Sequence, residues 1–228
     1  MASLNSRVEN AKKHSISKDI TLQGKYIHLK LLNAEQDTET LFHRSNGKAV
    51  EISGGFCNSV EDYDPEEEVW KYMFTSTTAQ QTLEEYKAVQ VESLLELSRC
   101  TAFVVFDSAS NSQIGVLCYL NNFPEHLKVE IGSVWYSPIA QKTWANTEAT
   151  YLLAKYAFEE MGYRRLEWKC DDLNERSKAS ATKLGFTFEG VQDSHYIYKN
   201  RSRDTAWFRI LDSDWESVKT HLETRLQY

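Results

Sequence analysis

Two polar stretches of the chain each precede a segment with helical periodicity. The first is Gln141-Lys-Thr-Trp-Ala-Asn-Thr147 and the second is Asn174-Glu-Arg-Ser177. The N-terminus of a helix exposes backbone N–H groups at the positive end of the helix dipole, which favours bound phosphate. These residues therefore predict two helix N-termini that can bind a phosphorylated ligand.

Glu130 is a candidate of another kind, because it lies within a largely apolar run. Residues 128–136 alternate in polarity and predict a strand, with Glu130, Gly132, Val134 and Tyr136 on one face. A carboxylate on a central strand is rarely buried without a partner or a function. Two roles remain open for Glu130: a base whose pKa is raised by burial, or a structural partner of an Arg or Lys.

Strands and helices alternate around these candidates. The predicted elements are, in chain order, a strand over 128–136, a helix over 145–161 closed by Gly162, a strand over 164–170, a helix from Asn174 to Gly185 and a strand starting at Phe186. Such short joints between alternating elements imply right-handed crossovers and a partly parallel sheet.

The rest of the chain carries weaker signals. Residues 1–21 are polar and aperiodic, which predicts a loose N-terminal arm, and residues 22–228 are predicted to form a single domain. Further predicted elements are strands over 24–32, 101–106, 114–120, 195–198 and 205–211, helices opening at Asn33, Asp64, Thr78 and Ser213, a loop over 47–59 and a solvated basic hairpin tip at 199–203.

The order of several short motifs resembles the GNAT superfamily of acyl-CoA-dependent N-acyltransferases. These motifs are Glu130-Ile-Gly132, Val134-Trp-Tyr-Ser-Pro138, Asn146-Thr-Glu-Ala149, Glu167-Trp-Lys-Cys-Asp171, Leu173-Asn-Glu-Arg-Ser177, Lys183-Leu-Gly-Phe186 and Phe188-Glu-Gly190. The match covers residues 129–212 and is most similar to the RimJ/RimL-like branch, named for enzymes that acetylate ribosomal-protein N-termini. It implies an α/β (α+β) GNAT fold, with helices on both faces of a mixed twisted sheet of about seven strands. The first three strands should be antiparallel, and a parallel pair should follow at the acyl-CoA site.

The resemblance also implies acetyl-CoA as a co-substrate and assigns residues to it. The pyrophosphate would lie on the loop 141–146, where Trp144 and Asn146 replace the glycines usual in the family. The residues implied to bind the cofactor are Trp135, Tyr136, Gln141, Lys142, Thr143, Asn146, Thr147, Asn174 and Ser177. The competing interpretation is that Thr143 or Asn146 only caps the helix, and that the two aromatic side chains belong to the core.

For catalysis, the resemblance implies that Ser177 protonates the leaving thiolate and that Glu130 takes the amine proton through a water. Ser177 could instead bond back to helix carbonyls, and Tyr196 or Tyr198 could serve as the acid. Glu167 and Asp171 are lesser candidates for the base. Glu148 is expected to be structural, because a carboxylate beside a diphosphate would repel it.

The implied reaction is transfer of an acetyl group to a primary amine by direct attack, with no metal. The acceptor would be a protein N-terminus, an amino acid or a small-molecule amine, with the segment 47–78 shaping the choice. Asp171, Asp172 and Glu130 together would form an acidic mouth attractive to an ammonium group. The alternative from another class is a sensor or scaffold that binds CoA without catalysis.

Composition limits the remaining possibilities. The net charge is −7 and no broad basic run occurs, so nucleic acid is not expected as a partner. No run reaches the length of a membrane span, and the four cysteines are scattered, which favours reduced thiols in the cytoplasm over disulfides or zinc. Neither membrane nor metal is expected, and a monomer and a homodimer are both compatible with the sequence.

Overall fold

The structure, a computed structural model, describes residues 3–55, 59–73 and 78–228. Its strands are β1 (Thr21–Gln23), β2 (Ile27–Leu31), β3 (Thr101–Asp107), β4 (Gln113–Phe123), β5 (Lys128–Tyr136), β6 (Arg165–Asp171), β7 (Thr187–Tyr198) and β8 (Arg201–Leu211). Its α-helices are α1 (Leu4–Lys13), α2 (Ala34–His43), α3 (Leu83–Tyr86), α4 (Ser93–Glu96), α5 (Ala145–Lys155), α6 (Glu175–Lys183) and α7 (Trp215–Leu226). Segments of π-helix cover Glu66–Trp70, Lys87–Glu92 and Tyr156–Glu160.

The eight strands are hydrogen-bonded in the order β1-β2-β3-β4-β5-β6-β8-β7. β2 pairs antiparallel with β3, as predicted for the strands over 24–32 and 101–106, and also with β1, which was not predicted. β5 and β6 form the predicted parallel pair. The mixed α/β fold is therefore confirmed, with eight strands in place of the expected seven because residues 21–31 form two short strands.

Two compact units emerge from the contacts within the chain. Unit 1 comprises Met1–Ser17, Tyr119–Gly132 and Thr150–Tyr228, and unit 2 comprises Lys18–Cys118 and Ser133–Ala149. In unit 1, β6 and β8 turn Leu166, Trp168, Phe208 and Ile210 into the core. Burial of such large apolar side chains is the main stabilising contribution within a unit.

In unit 2, the core is rich in aromatic side chains. Trp70 and Tyr86 lie edge to face with ring centroids 6.2 Å apart, and Trp70 packs on Trp135 at 5.5 Å. The Trp70 indole N–H donates to the carbonyl of Ser45 at 3.0 Å, so its polar atom is satisfied inside the core.

The acid-rich opening at Asp64 is confirmed, because its carboxylate accepts from the amide of Glu66 at 2.9 Å.

The predicted loose arm is wrong over residues 4–13, which form α1. Ser3 caps this helix by accepting from the amide of Ser6, and Ala11 is buried within unit 1. Arg7 pairs with Asp212 at 2.8 Å. Residues 4–13 contain few apolar side chains, and Arg7 supplies a polar contact to the rest of unit 1. Hydrophobic periodicity therefore did not identify this helix.

The helix predicted to open at Ser213 is present as α7, but Ser213 is not its N-cap. The N-cap of α7 is Asp214, and its carboxylate pairs with Arg209 of β8 instead of capping an amide of the helix.

Glu148, in the first turn of α5, organises one end of unit 2. Its carboxylate accepts hydrogen bonds from three consecutive backbone amides, those of Lys25 (2.8 Å), Tyr26 (2.8 Å) and Ile27 (2.6 Å). The side chain is fully buried. The expected structural role of Glu148 is confirmed, and its partner is the connection from β1 to β2.

We expect Glu148→Ala to lower the free energy of unfolding by about 3 kcal/mol, because buried N–H donors that lose their acceptor are costly. Urea denaturation of the purified variant measures the loss. Glu216→Ala is the matched control, since Glu216 also lies in the first turn of a helix but is exposed. A loss for Glu148→Ala no larger than that of the control would contradict this account.

Candidate active site

The strand β5 changes its backbone conformation at Ser133. The φ angle of Ser133 is 49°, in the left-handed region that few residues other than glycine adopt. The parallel pairing joins Lys128–Ile131 of β5 to Arg165–Trp168 of β6, and β5 then continues as far as Tyr136. Because the left-handed residue interrupts the alternation, the faces predicted for Val134 and Tyr136 do not follow from that of Glu130.

Trp135 and Tyr136 are both buried in unit 2. Burial raises the pKa of the Tyr136 phenol, so its hydroxyl stays protonated. That hydroxyl has no hydrogen-bond partner within residues 3–55, 59–73 and 78–228. A Cβ on Gly115 would approach the Trp135 carbonyl to 2.4 Å, so glycine permits β4 to lie this close to β5. The side chains of both aromatic residues therefore belong to the core, as the competing interpretation held. This does not affect the role that the resemblance implies for their backbone.

The loop after β5 is held by Gln141 and Thr143. The Gln141 side-chain amide donates to the carbonyls of Glu68 (3.1 Å) and Tyr136 (3.2 Å). The Thr143 hydroxyl donates to the Ala140 carbonyl and accepts from the amide of Ala145 at 3.2 Å. Both side chains therefore shape the loop, and Thr143 caps the start of α5.

The first turn of α5 carries the other residues assigned to the pyrophosphate. Lys142 is exposed with a φ of 60°, while Asn146 is half-buried and Thr147 is buried. The first amides of a helix have no partner within it, and the helix dipole adds positive potential there. An exposed lysine beside this turn adds a full positive charge. This donor set fits a diphosphate, although Trp144 and Asn146 stand where the family usually has glycines.

In unit 1, Asn174 caps α6. Its side chain accepts from the amide of Ser177 at 3.1 Å, as predicted for an N-cap. The Ser177 hydroxyl accepts from the indole N–H of Trp168 at 3.0 Å. The alternative in which Ser177 bonds back to a helix carbonyl is therefore not the contact observed.

Glu130 forms a buried ion pair in unit 1. Its carboxylate accepts from the ammonium of Lys169 at 2.7 Å and from the side-chain amide of Asn121 at 2.8 Å. Of the two roles left open by the sequence, the structural pair with a lysine is the one the contacts show. Burial lowers the pKa of Lys169, but the charges of Glu130 and Glu167 outweigh it and the net shift is upward.

Glu167, the lesser candidate for the base, is surrounded by three cations. It lies 2.7 Å from Arg165, 3.1 Å from Lys169 and 3.2 Å from Lys128. Burial raises the pKa of Glu167, but the hydrogen bond from Arg165 and the neighbouring positive charges lower it further, so the net shift is downward. A carboxylate so stabilised in its charged form is a poor proton acceptor.

The side chains of Glu130 and Ser177 are placed on opposite faces of β6. Glu130 contacts Lys169, Ser177 contacts Trp168, and successive residues of a strand point to opposite sides. The two residues implied to move protons therefore reach the strand from different sides.

The predicted acidic mouth is wrong, because each of its acids has a cationic partner. Asp171 pairs with Arg201 and lies 3.9 Å from Arg203. Asp172 pairs with Lys178 at 3.2 Å, and Glu130 with Lys169. The predicted hairpin turn is present at residues 199–200, between β7 and β8, but the two arginines after it are directed to the sheet, since Arg201 pairs with Asp171 and Arg203 is buried.

Several residues near these candidates were not anticipated. They are Asn121, Trp168, Lys169, His195, Thr205 and Trp207. For Lys169, alternation along β6 did carry a signal, because it puts Lys169 on the same face as Glu167. The partners from β4, β7 and β8 depend on strand order, which no local pattern encodes.

No group of three or more metal-ligating side chains occurs within the described parts of the chain. Cys100, Cys118 and Cys170 carry free thiols, and Cys57 lies outside the described residues. None of the helices that the structure describes is long and apolar enough to cross a membrane. In the segment 47–78, expected to shape acceptor choice, residues 56–58 and 74–77 are outside the described parts.

Comparison with known proteins assigns the class. Residues 57–187 match the family model described as an acetyltransferase (GNAT) domain, and the chain belongs to this family of acetyltransferases. Among solved structures, a GCN5-related N-acetyltransferase from Brucella melitensis is 31% identical with a TM-score of 0.79, covering 91% of this chain and 86% of that one. A GNAT-family protein from Chromobacterium violaceum is 29% identical with a TM-score of 0.75, covering 89% and 91%.

A more distant structure shares the fold. A Vibrio cholerae protein described as a candidate ribosomal-protein-serine acetyltransferase is 17% identical, with a TM-score of 0.61, and covers 86% of this chain and 99% of that one. At this identity the similarity shows the fold alone. A search of curated proteins gave no match.

Because the pKa of Glu167 is lowered in the folded protein, the free energy of unfolding should decrease as the pH falls. A carboxyl group with a depressed pKa stabilises the fold above its unfolded value of about 4.5, and this contribution is lost as the pH falls through the folded pKa. We expect Glu167→Gln to lower the free energy of unfolding at pH 7 by about 3 kcal/mol, because it leaves buried cations under-compensated. We also expect its stability to fall less than that of the wild type on acidification from about pH 5 to about pH 3.

Urea denaturation across this pH range tests both effects. Glu175→Gln is the control, because the Glu175 side chain is 82% exposed, and it should change neither value appreciably. A parallel pH dependence in Glu167→Gln and wild type would show that Glu167 does not carry this linkage.

Proposed function

We propose that this acetyltransferase moves an acetyl group from acetyl-CoA to a primary amine by direct attack. The observation that carries the proposal is a pair of capped helix starts, at Thr143 and Asn174, each following a strand of the parallel β5–β6 pair. Acetyl-CoA would supply the acetyl group as an activated thioester. Transfer forms one C–N bond and breaks the C–S bond; the amine loses a proton and the thiol leaves with one.

The residues of unit 2 support binding of the pyrophosphate. The first turn of α5, with Lys142 beside it and Thr143 as its cap, offers backbone amides and positive charge to a diphosphate. Gln141 acts indirectly, by tying the loop to Tyr136 and to Glu68. The backbone of Trp135 and Tyr136, beyond the part of β5 that pairs with β6, would hydrogen-bond the pantetheine amides.

The residues of unit 1 support proton delivery to sulfur. The Trp168 indole occupies a lone pair of the Ser177 oxygen, so the hydroxyl proton of Ser177 points elsewhere and can be donated. Asn174 fixes the start of α6 and thus the position of that hydroxyl. Ser177 is accordingly assigned as the general acid, with Tyr196 and Tyr198 as the alternatives left by the sequence.

Glu130 is assigned a positioning role. If it took the amine proton, its pair with Lys169 would break and a half-buried ammonium would lose its nearest carboxylate. The amine proton then leaves through solvent. Glu130→Gln should keep the shape of the pH profile of kcat/KM while raising KM, and loss of the acidic limb of the profile would restore Glu130 as the base.

The motif order supports membership of the RimJ/RimL-like branch, and the free thiols of Cys100, Cys118 and Cys170 favour the cytoplasm as the compartment. These finer assignments belong to the same proposal. The branch name does not decide the acceptor, since one fold serves many substrates.

Calorimetric titration of acetyl-CoA tests the cofactor assignment. We expect Thr143→Ala and Asn174→Ala each to weaken binding about tenfold, equivalent to about 1.4 kcal/mol. Asn33→Ala is the matched control, because Asn33 caps α2 by the same contact as Asn174 caps α6. Absence of acetyl-CoA binding by the wild type would overturn the proposal.

Release of free thiol over a panel of amines tests catalysis. We expect Ser177→Ala to bind acetyl-CoA normally and to lower kcat by about 10²- to 10⁴-fold, the usual contribution of a general acid. Binding without turnover by the wild type would support the sensor or scaffold interpretation. An unchanged kcat in Ser177→Ala would move the acid role to Tyr196 or Tyr198.

A further inference from the structure

A cluster of polar side chains in unit 1 has no role in the function described above. Arg203, Thr205 and Trp207 occupy alternate positions of β8, and the register sets Trp207 opposite Lys169 and Thr205 opposite Asp171. Alternate and directly opposed residues share one face of a sheet. His195 of β7 joins them, with its ring 6.0 Å from that of Trp207. We call these six residues the β8 cluster: Lys169, Asp171, His195, Arg203, Thr205 and Trp207.

The β8 cluster has unmet hydrogen-bonding capacity. The Trp207 indole nitrogen, the Thr205 hydroxyl and the His195 Nδ1 are buried and have no partner among residues 3–55, 59–73 and 78–228. Thr205 is only 1% exposed. An indole N–H can only donate, and a hydroxyl can donate as well. A buried donor needs an acceptor to be stabilised. Oxygen atoms of a ligand could therefore accept hydrogen bonds from Trp207 and Thr205.

The charge of the β8 cluster is positive. Asp171 is shared by two guanidinium groups, those of Arg201 and Arg203. The Lys169 ammonium lies 4.1 Å from the centre of the Trp207 ring, and its carboxylate partners lie on β5 and β6. Burial lowers the pKa of His195, and the positive charges of Arg203 and Lys169 lower it further. A cationic ligand would be repelled here, whereas an anionic group would be attracted.

We propose that the β8 cluster binds the carboxylate of the acceptor, so that the acceptor is an amine that also carries a carboxylate, such as a free amino acid. Trp207 and Thr205 donate to the carboxylate, and Arg203 and Lys169 supply the positive charge. The inference rests on the proposed acetyl transfer and adds the class of acceptor. It also excludes polyamines, which carry only positive charge and have no group to meet these donors.

Matched acceptors test the proposal directly. Each L-amino acid is compared with its carboxamide and with the amine formed by decarboxylation, and thiol release from acetyl-CoA gives kcat/KM. We expect the free amino acid to be preferred at least about tenfold over its carboxamide, equivalent to about 1.4 kcal/mol. Equal rates for the two forms would overturn the carboxylate inference and leave the acetyl-transfer proposal intact.

Two conservative variants assign the preference to the cluster. Trp207→Phe keeps the aromatic ring and removes the indole N–H, and Thr205→Val keeps the shape and removes the hydroxyl. Each should lower kcat/KM more for the free amino acid than for its carboxamide, so that the preference falls about threefold or more, and should lower it least for the decarboxylated amine, which has no oxygen to accept from these donors. Trp215→Phe is the control, because its indole N–H donates to Glu159 at 3.0 Å, outside the cluster, and it should keep the full preference.

Calorimetry with acetyl-CoA separates this site from one for the cofactor. The Trp207→Phe and Thr205→Val variants should bind acetyl-CoA as tightly as the wild type. Weaker binding would show that the cluster holds an anionic part of the cofactor and would overturn the inference. Bound acetyl-CoA without turnover of any amine would overturn it together with the proposed function.

Discussion

The ammonium group of Lys169 joins three strands of unit 1, and much of the site follows from it. It donates to Glu130 on β5 at 2.7 Å, lies 3.1 Å from Glu167 on its own strand, and stacks on Trp207 of β8. Because a half-buried ammonium needs compensation, both carboxylates are engaged in ion pairs with it. The acids that a sequence would assign to proton transfer therefore serve to fix a cation in place.

The effect of this cation extends to the choice of acceptor. With Glu130 and Glu167 compensated by Lys169 and Asp171 compensated by Arg201, the face of β6 offers no excess negative charge to an ammonium group. The Trp207 indole nitrogen can only donate a hydrogen bond, and the Thr205 hydroxyl can donate as well; neither has a partner among the described residues. In the proposed acceptor site, the same ion pairs that stabilise the sheet would also favour an anionic group over a cationic one.

The sequence predicted those features that local signals encode. The strand–helix–strand order from Lys128 to Lys183 follows from alternation, helical periodicity and the N-cap Asn174, all within a few residues of one another. It also identified Glu148 as structural from its position in the first turn of α5. Family resemblance added the cofactor, which no local pattern specifies.

What could not be predicted depends on contacts distant in the chain. The partner of Glu130 is 39 residues away, and that of Asp171 is 30 residues away, across a strand order that departs from the order in sequence. The acidic mouth failed because charges were counted without their partners. The helix α1 was missed because Arg7 and not an apolar stripe attaches it to unit 1.

The loop before α5 lacks the glycines usual in the family, and other residues adopt its backbone conformation. Lys142, not a glycine, adopts the left-handed conformation there, with a φ of 60°. Trp144, which stands where a glycine is usual, is directed to Tyr26, on which it stacks with ring centroids 5.9 Å apart. A side chain packed in this way need not block the amides of the helix start, whereas a disordered one would. The bend at Lys142 also sets a cation beside the first turn, so charge replaces part of the close backbone approach that glycines permit.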